Sequence, residues 1–310
     1  MFAAVTFLQL VLSGCVSVRP EQDNASIQQN FDYNREMRKQ QVLNEVEEEF
    51  HPELPEPTVE KYEQTADACF GRGDINRAFL YYNKALGIDG DNDRLIHKIG
   101  LLWLKKKKYA EAEKVIEYAL SLNSQPALYH QSLGQALFGG LKIDQAEQSF
   151  RTALAKDDNL VSSHVYMGLL HGGRGEYEQA AACYEKALAL DPRNIAALNN
   201  LALTRLAMGR QEEALDIFEQ LGRLYPENKK VFNNMGLLYC RLNKYEQAMG
   251  SFKMGTLDEA TAYNNLGYGL LYHQRYQEAQ QAFEKAVGLN PKYYEKADNN
   301  LKTVEKVIGR

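Results

Sequence analysis

The chain has little of what closes small folds by cross-linking: its 310 residues hold four cysteines, Cys15, Cys69, Cys183 and Cys240, with no C-x-x-C pair among them. That spacing supports neither a disulfide framework nor a zinc site, and the last three cysteines read as small core residues. The six histidines, His51, His97, His130, His164, His171 and His273, form no H-E-x-x-H motif. They read as packing or surface residues. Basic charge is not in excess either, with 36 Lys and Arg against 41 Asp and Glu and a net charge of -5. A protein held on nucleic acid by phosphate contacts is therefore not expected. Eight prolines and 22 glycines in a chain that is 45% hydrophobic and 25% charged exclude collagen-like structure and wholesale disorder. Gly172-Gly173-Arg174-Gly175 lacks the preceding strand of a phosphate loop, and Arg72-Gly73-Asp74 falls in a turn. No nucleophile, acid–base pair, metal cluster or cofactor loop is left. The expectation is a binding protein, not an enzyme, without cofactor, metal or small-molecule substrate.

What charge imbalance exists is local. Residues 21–60 carry 11 acidic side chains against Arg35, Arg38 and Lys39, and Pro20, Pro52, Pro55 and Pro57 all precede residue 60. A boundary near residue 58 follows, with an acidic tether over 15–58. Before it, Met1 to Gly14 is an apolar stretch too short for a permanent membrane helix but long enough for a secretory h-region, although no Lys or Arg precedes Arg19. It ends in Leu12-Ser13-Gly14-Cys15, which resembles the bacterial lipobox. That resemblance implies a signal peptide over 1–14 and lipid on Cys15, with several buried alkyl chains giving stable membrane anchoring. Val16 after the cysteine implies the periplasmic face of the outer membrane, by the sorting rule known for enteric Gram-negative lipoproteins.

From residue 59 the sequence repeats. Gly100, Gly134 and Gly168 are spaced by 34, Ala202 and Gly236 continue the series, Ala66 lies one period upstream and Gly267 belongs to the last unit. Twelve residues after each comes an alanine, at Ala78, Ala112, Ala146, Ala180, Ala214, Ala248 and Ala279. Four further on stands a large side chain: Tyr82, Ile116, Phe150, Tyr184, Phe218, Phe252 and Phe283. The pattern predicts pairs of helices whose small residues let the axes approach, with the large residue packing into the next unit. Gly73, Gly175, Gly209 and Asn243 fall at the turns between paired helices, and Pro192, Pro226 and Pro291 fall between units.

This pattern resembles the tetratricopeptide repeat (TPR). The resemblance implies an all-α, right-handed superhelical solenoid of about seven helix pairs, at 59–92, 93–126, 127–160, 161–194, 195–228, 229–259 and 260–293, with a C-terminal capping helix in 294–310. The sixth unit is three residues short, which predicts that its second helix stops early.

In such arrays the first helices line the concave side. Three units carry an asparagine pair there, Asn199-Asn200, Asn233-Asn234 and Asn264-Asn265, and another, Asn299-Asn300, opens the final helix. Asparagine costs about half a kcal/mol against alanine inside a helix, so a return is expected, and an amide that both donates and accepts suits an extended peptide backbone. Asn200, Asn234 and Asn265 are similar in place to the groove asparagines of the O-linked N-acetylglucosamine transferase repeats; the alternative is that they bridge adjacent helices. Leu203, Leu237, Tyr268 and Tyr272 neighbour them, the tyrosines as candidate anchors. The run Lys105 to Lys108 reads as a solvated corner, the alternative being a contact for an acidic partner or headgroup. Lipobox, array and the Ala262 to Tyr268 stretch together resemble the TadD-type lipoproteins of the tight-adherence pilus. That implies a scaffold that assists assembly or localisation of a secretin or pilus components. The alternatives are an envelope adaptor for peptidoglycan hydrolases or, without a true lipobox, a cytosolic TPR co-chaperone, although the groove lysines and arginines of that class are not evident.

Overall fold

The structure is a computed structural model that describes residues 58–256, 258–289 and 294–309. The signal peptide, Cys15 and nearly all of the tether lie outside the described residues, as does Pro291. The described chain is all-α, fifteen helices with no strand among the described residues. None of these helices is long and apolar enough to cross a membrane.

The chain divides into two compact units, residues 1–90 and 91–310. The described part of the first is one helix pair, α1 (Val59–Gly71) and α2 (Ile75–Ile88). The second holds α3 (Asp93–Lys105), α4 (Tyr109–Leu122), α5 (Ala127–Gly139), α6 (Ile143–Lys156), α7 (Val161–Gly173), α8 (Tyr177–Leu190), α9 (Ile195–Ala207) and α10 (Gln211–Leu224). It continues with α11 (Lys229–Arg241), α12 (Tyr245–Gly255), α13 (Glu259–Tyr272), α14 (Tyr276–Leu289) and α15 (Tyr294–Val307). Odd-numbered helices are thus the first of each pair, and α15 closes the series. Because α15 begins at Tyr294, the Asn299-Asn300 pair stands more than a turn inside that helix and does not open it.

Local chemistry fixes many of the boundaries. Thr58, Asp74, Asn92, Asn194 and Asp258 each accept a backbone N–H three residues on, as Ser, Thr, Asp and Asn do at helix starts. Every turn between paired helices contains one residue with positive φ: Gly73, Lys107, Leu141, Gly175, Gly209, Asn243 and Gln274. The reversal requires a left-handed backbone there, which glycine supplies without a Cβ penalty. Lys107, Leu141 and Gln274 meet the same demand with ordinary side chains, which is why composition alone did not reveal those three turns.

Packing follows the period. All seven second-helix alanines, Ala78 through Ala279, are fully buried. The glycine of a first helix meets the large side chain sixteen residues on in its own pair. A Cβ on Gly134 would stand 2.7 Å from Phe150, on Gly168 2.5 Å from Tyr184, on Gly236 2.6 Å from Phe252 and on Gly267 2.7 Å from Phe283. The expectation that this ring packs into the next unit is therefore half the picture. Phe150 is also stacked on Tyr166 of the following pair at 4.9 Å, so this ring is clamped between its own glycine and the neighbour's first helix. Continuous burial of this kind is what makes stacked repeats cooperative.

The sixth pair carries the shortened helix. Its α12 has 11 residues where the other second helices have 14. Asn233 Nδ2 donates to the Gly255 carbonyl at 3.0 Å, giving one of the last carbonyls of α12 a partner. A Cβ on Gly255 would come within 2.6 Å of Asn233 Oδ1, so glycine is required for that approach. Asp258 then starts α13 by accepting from both the N–H and the hydroxyl of Thr261.

Candidate functional site

Within the second compact unit, first helices of successive pairs touch directly: α3 with α5, α5 with α7, α7 with α9, α11 with α13 and α13 with α15. Their free sides consequently share one surface. The positions turned to it repeat at 196, 200, 203 and 207 of α9, a helical spacing of four, three and four.

The asparagines lie at the heart of this surface, where they bond one another. Asn234 Nδ2 donates to Asn199 Oδ1 at 3.0 Å, and Asn199 Nδ2 lies 3.4 Å from Asn200 Oδ1. Asn265 Nδ2 lies 3.4 Å from Asn233 Oδ1, while Asn264, which is buried, accepts from Asn300 Nδ2 at 3.0 Å. Adjacent first helices are thereby joined by side-chain rungs. Two groups form, Asn199, Asn200 and Asn234 in one, and Asn233, Asn264, Asn265 and Asn300 in the other. In the first, the Asn200 amide N–H donors and the Asn234 carbonyl oxygen keep hydrogen-bonding capacity that no described residue uses. That leaves a donor and an acceptor on neighbouring helices.

An equivalent rung upstream went unread in the sequence because its residue types differ. His97 lies 2.9 Å from the Ser132 hydroxyl, and its ring is stacked on Tyr129 at 4.2 Å. Both His97–Ser132 and Asn199–Asn234 are 35 residues apart, one more than the repeat. Burial pushes His97 down to about 4, against a smaller opposing influence of Asp93. Tyr129 in turn donates to Asp93 at 2.8 Å.

Of the apolar groove candidates, Leu203 and Leu237 are half-buried, whereas Tyr268 and Tyr272 are exposed at 41% and 46%. One helical turn apart on α13, they present two rings beside Asn265. His273, which follows, has a buried Nε2 without a partner, and burial together with Arg241 lowers its pKa and favours the neutral ring. Charge is the second feature the sequence reading missed. Arg94, Lys98 and Lys105 on α3, and Lys230 and Arg241 on α11, occupy the same repeating positions.

Cys69, Cys183 and Cys240 are free thiols, and burial pushes Cys240 up to about 12, where it stays protonated and packs against Gly269. Among the described residues no group of three or more His, Cys, Asp or Glu is placed to hold a metal.

Three stretches match repeat families: residues 174–209 match "TPR repeat", and residues 196–228 and 260–293 each match "Tetratricopeptide repeat". Solved structures share the fold. A tetratricopeptide repeat protein from Parabacteroides merdae is 19% identical with a TM-score of 0.55, covering 79% of this chain and 98% of its own. Pseudomonas aeruginosa PilF is 21% identical with a TM-score of 0.54, covering 70% of this chain and 99% of its own. The Cut9–Hcn1 hetero-tetramer of the APC/C is 18% identical with a TM-score of 0.61, covering 79% of this chain and 48% of its own. No curated protein matches the sequence.

Proposed function

We propose that this TPR-repeat chain is a lipid-anchored scaffold whose first-helix surface holds an extended segment of a protein partner in the assembly or localisation of a pilus or secretion machine. Protein–protein interaction is what the repeat fold implies. The finer reading rests on one observation: Asn200 on α9 and Asn234 on α11 set out a spare donor and a spare acceptor, with the exposed rings of Tyr268 and Tyr272 following on α13. An extended backbone offers the complementary acceptor and donor, so binding through these groups tolerates side-chain variation, and the tyrosines anchor an apolar residue. The lipobox resemblance at Cys15 supports the anchor. The likeness of the whole arrangement to TadD-type lipoproteins supports the pilus setting.

The test is calorimetric affinity for a partner recovered by pulldown from envelope extracts. Replacing Asn200, Asn234 and Asn265 together with alanine removes up to three hydrogen bonds, expected to weaken binding by about 1.5–4.5 kcal/mol. Asn234 and Asn265 also bond neighbouring helices, so the variant is compared at a temperature where circular dichroism reports it folded. An equal number of substitutions on second helices should leave affinity unchanged. If those weaken binding and the asparagine variant does not, the partner rides on the other side of the array.

A further inference from the structure

We infer that the segment received by the first-helix surface is acidic, a conclusion that rests on the groove reading above and adds the partner's chemistry. From α3 to α13, the positions facing this surface carry Arg94, Lys98, Lys105, Lys230 and Arg241 and no acidic residue; Arg94, Lys98 and Arg241 already hold partners, so Lys105 and Lys230 are the exposed cations offered to a ligand. The acids of those helices, Asp93 and Glu259, sit at their first positions and are already engaged. Asp93 accepts from Tyr129 and Asn123, and Glu259 pairs with Lys253 at 2.8 Å. Second helices from α4 to α14 carry the opposite balance, fourteen acidic side chains against seven basic. The array is electrically two-sided.

Such a partition has a directional effect. A chain of net charge -5 repels anionic segments at long range, yet a surface lined by cations attracts them locally and rejects basic ones. Lys105 and Lys230 are exposed, and with the Asn200 and Asn234 amides they offer carboxylate side chains a cationic partner and the backbone a neutral one. Tyr268 and Tyr272 add room for an apolar residue in the same segment. Lys105, which closes α3, thus belongs to a cationic row and not only to a solvated corner.

The purified full chain would be panned with a display library of random peptides of about 12 residues at about 50 mM salt, low enough to leave surface charges unscreened. Selected sequences should be rich in Asp and Glu. Affinity for the best of them should fall about tenfold in the double variant Lys105→Glu, Lys230→Glu and again on raising salt to about 300 mM. The matched variant Lys156→Glu, Lys186→Glu, on second helices, should change it less than about twofold. Neutral or basic selected sequences, or acidic ones indifferent to the first variant, would overturn the acidic partner while leaving the groove in place. A library yielding no binder lost on Asn200→Ala, Asn234→Ala would sink the groove reading itself. Flotation on phosphatidylglycerol vesicles, abolished by the Lys105, Lys230 reversal, would assign the row to lipid. Self-association that competes with the peptides would put a second copy's acidic stretch there. Either result overturns an external protein segment as the occupant.

Discussion

Replacing Gly134 by alanine tests the packing logic of the array directly. Alanine is favoured over glycine inside a helix by about 1 kcal/mol, so on propensity alone the change should stabilise. The added Cβ would meet three ring atoms of Phe150 at 2.7, 2.8 and 2.9 Å, and that ring is fully buried, so it has nowhere to move. Overpacking of this kind costs about 1–3 kcal/mol. The spread is real, because Ala66 and Ala202 stand at the equivalent positions opposite Tyr82 and Phe218, so a pair of helices can be built with a methyl at this point. What Gly134→Ala measures is the cost of forcing that wider spacing on a pair whose neighbours are fixed. The control is Gly250→Ala in α12, where a Cβ meets nothing within 4 Å. Subtracting the two removes the propensity contribution, and Gly134→Ala should be the less stable by about 2 kcal/mol in urea denaturation followed by circular dichroism. A companion Phe150→Leu should recover part of the loss in a double-mutant cycle. Equal effects at the two glycines would refute the close approach of α5 and α6.

Leu141, with φ of 63° and 64% exposure, should be improved by glycine: Leu141→Gly is expected to stabilise by about 1 kcal/mol, and Gly175→Ala to destabilise by a similar amount, both read from denaturation midpoints. His97 should make stability pH-dependent. Its folded pKa of about 4 lies below the ordinary 6.5, so the unfolded chain takes up the extra proton and stability, full above 6.5, falls as pH drops toward 4. The total loss is about 3 kcal/mol, and His97→Asn should flatten that slope; an unchanged slope would remove His97 as its source. Cys15→Ser should release the protein from membranes, and persistence in the membrane fraction with no lipid mass on the wild-type N-terminus would reject lipidation there.

The repeat was legible because its small residues have no substitute: a 34-residue spacing of glycine and alanine reports close helix approach directly. Which side chain each glycine meets was not legible, since the alanine twelve residues on and the ring sixteen residues on fall on the same face of the second helix. The asparagine pairs could be found by type, but their bonding could not. Asn199 and Asn234 pair with an offset of 35 residues, and alignment at 34 sets like beside like instead of donor beside acceptor. His97–Ser132 was invisible for the same reason, with unlike residues added. The cationic row was lost by averaging, because second helices cancel its charge in any window that spans a whole unit.

The offset of the rungs has a consequence for how such a chain can change length. Asn199 accepts from the position that Asn200 occupies one unit later, so a copy of residues 195–228 inserted after itself would present its own second asparagine to Asn199 and its first to Asn234. The duplicate would find a bonding partner on each side without altering another residue. A single asparagine lost by drift leaves a neighbour's amide without its mate, whereas duplication of 195–228 leaves the amides on both sides of the insertion matched. The array is thus more tolerant of growing by this repeat than of wearing away one rung at a time.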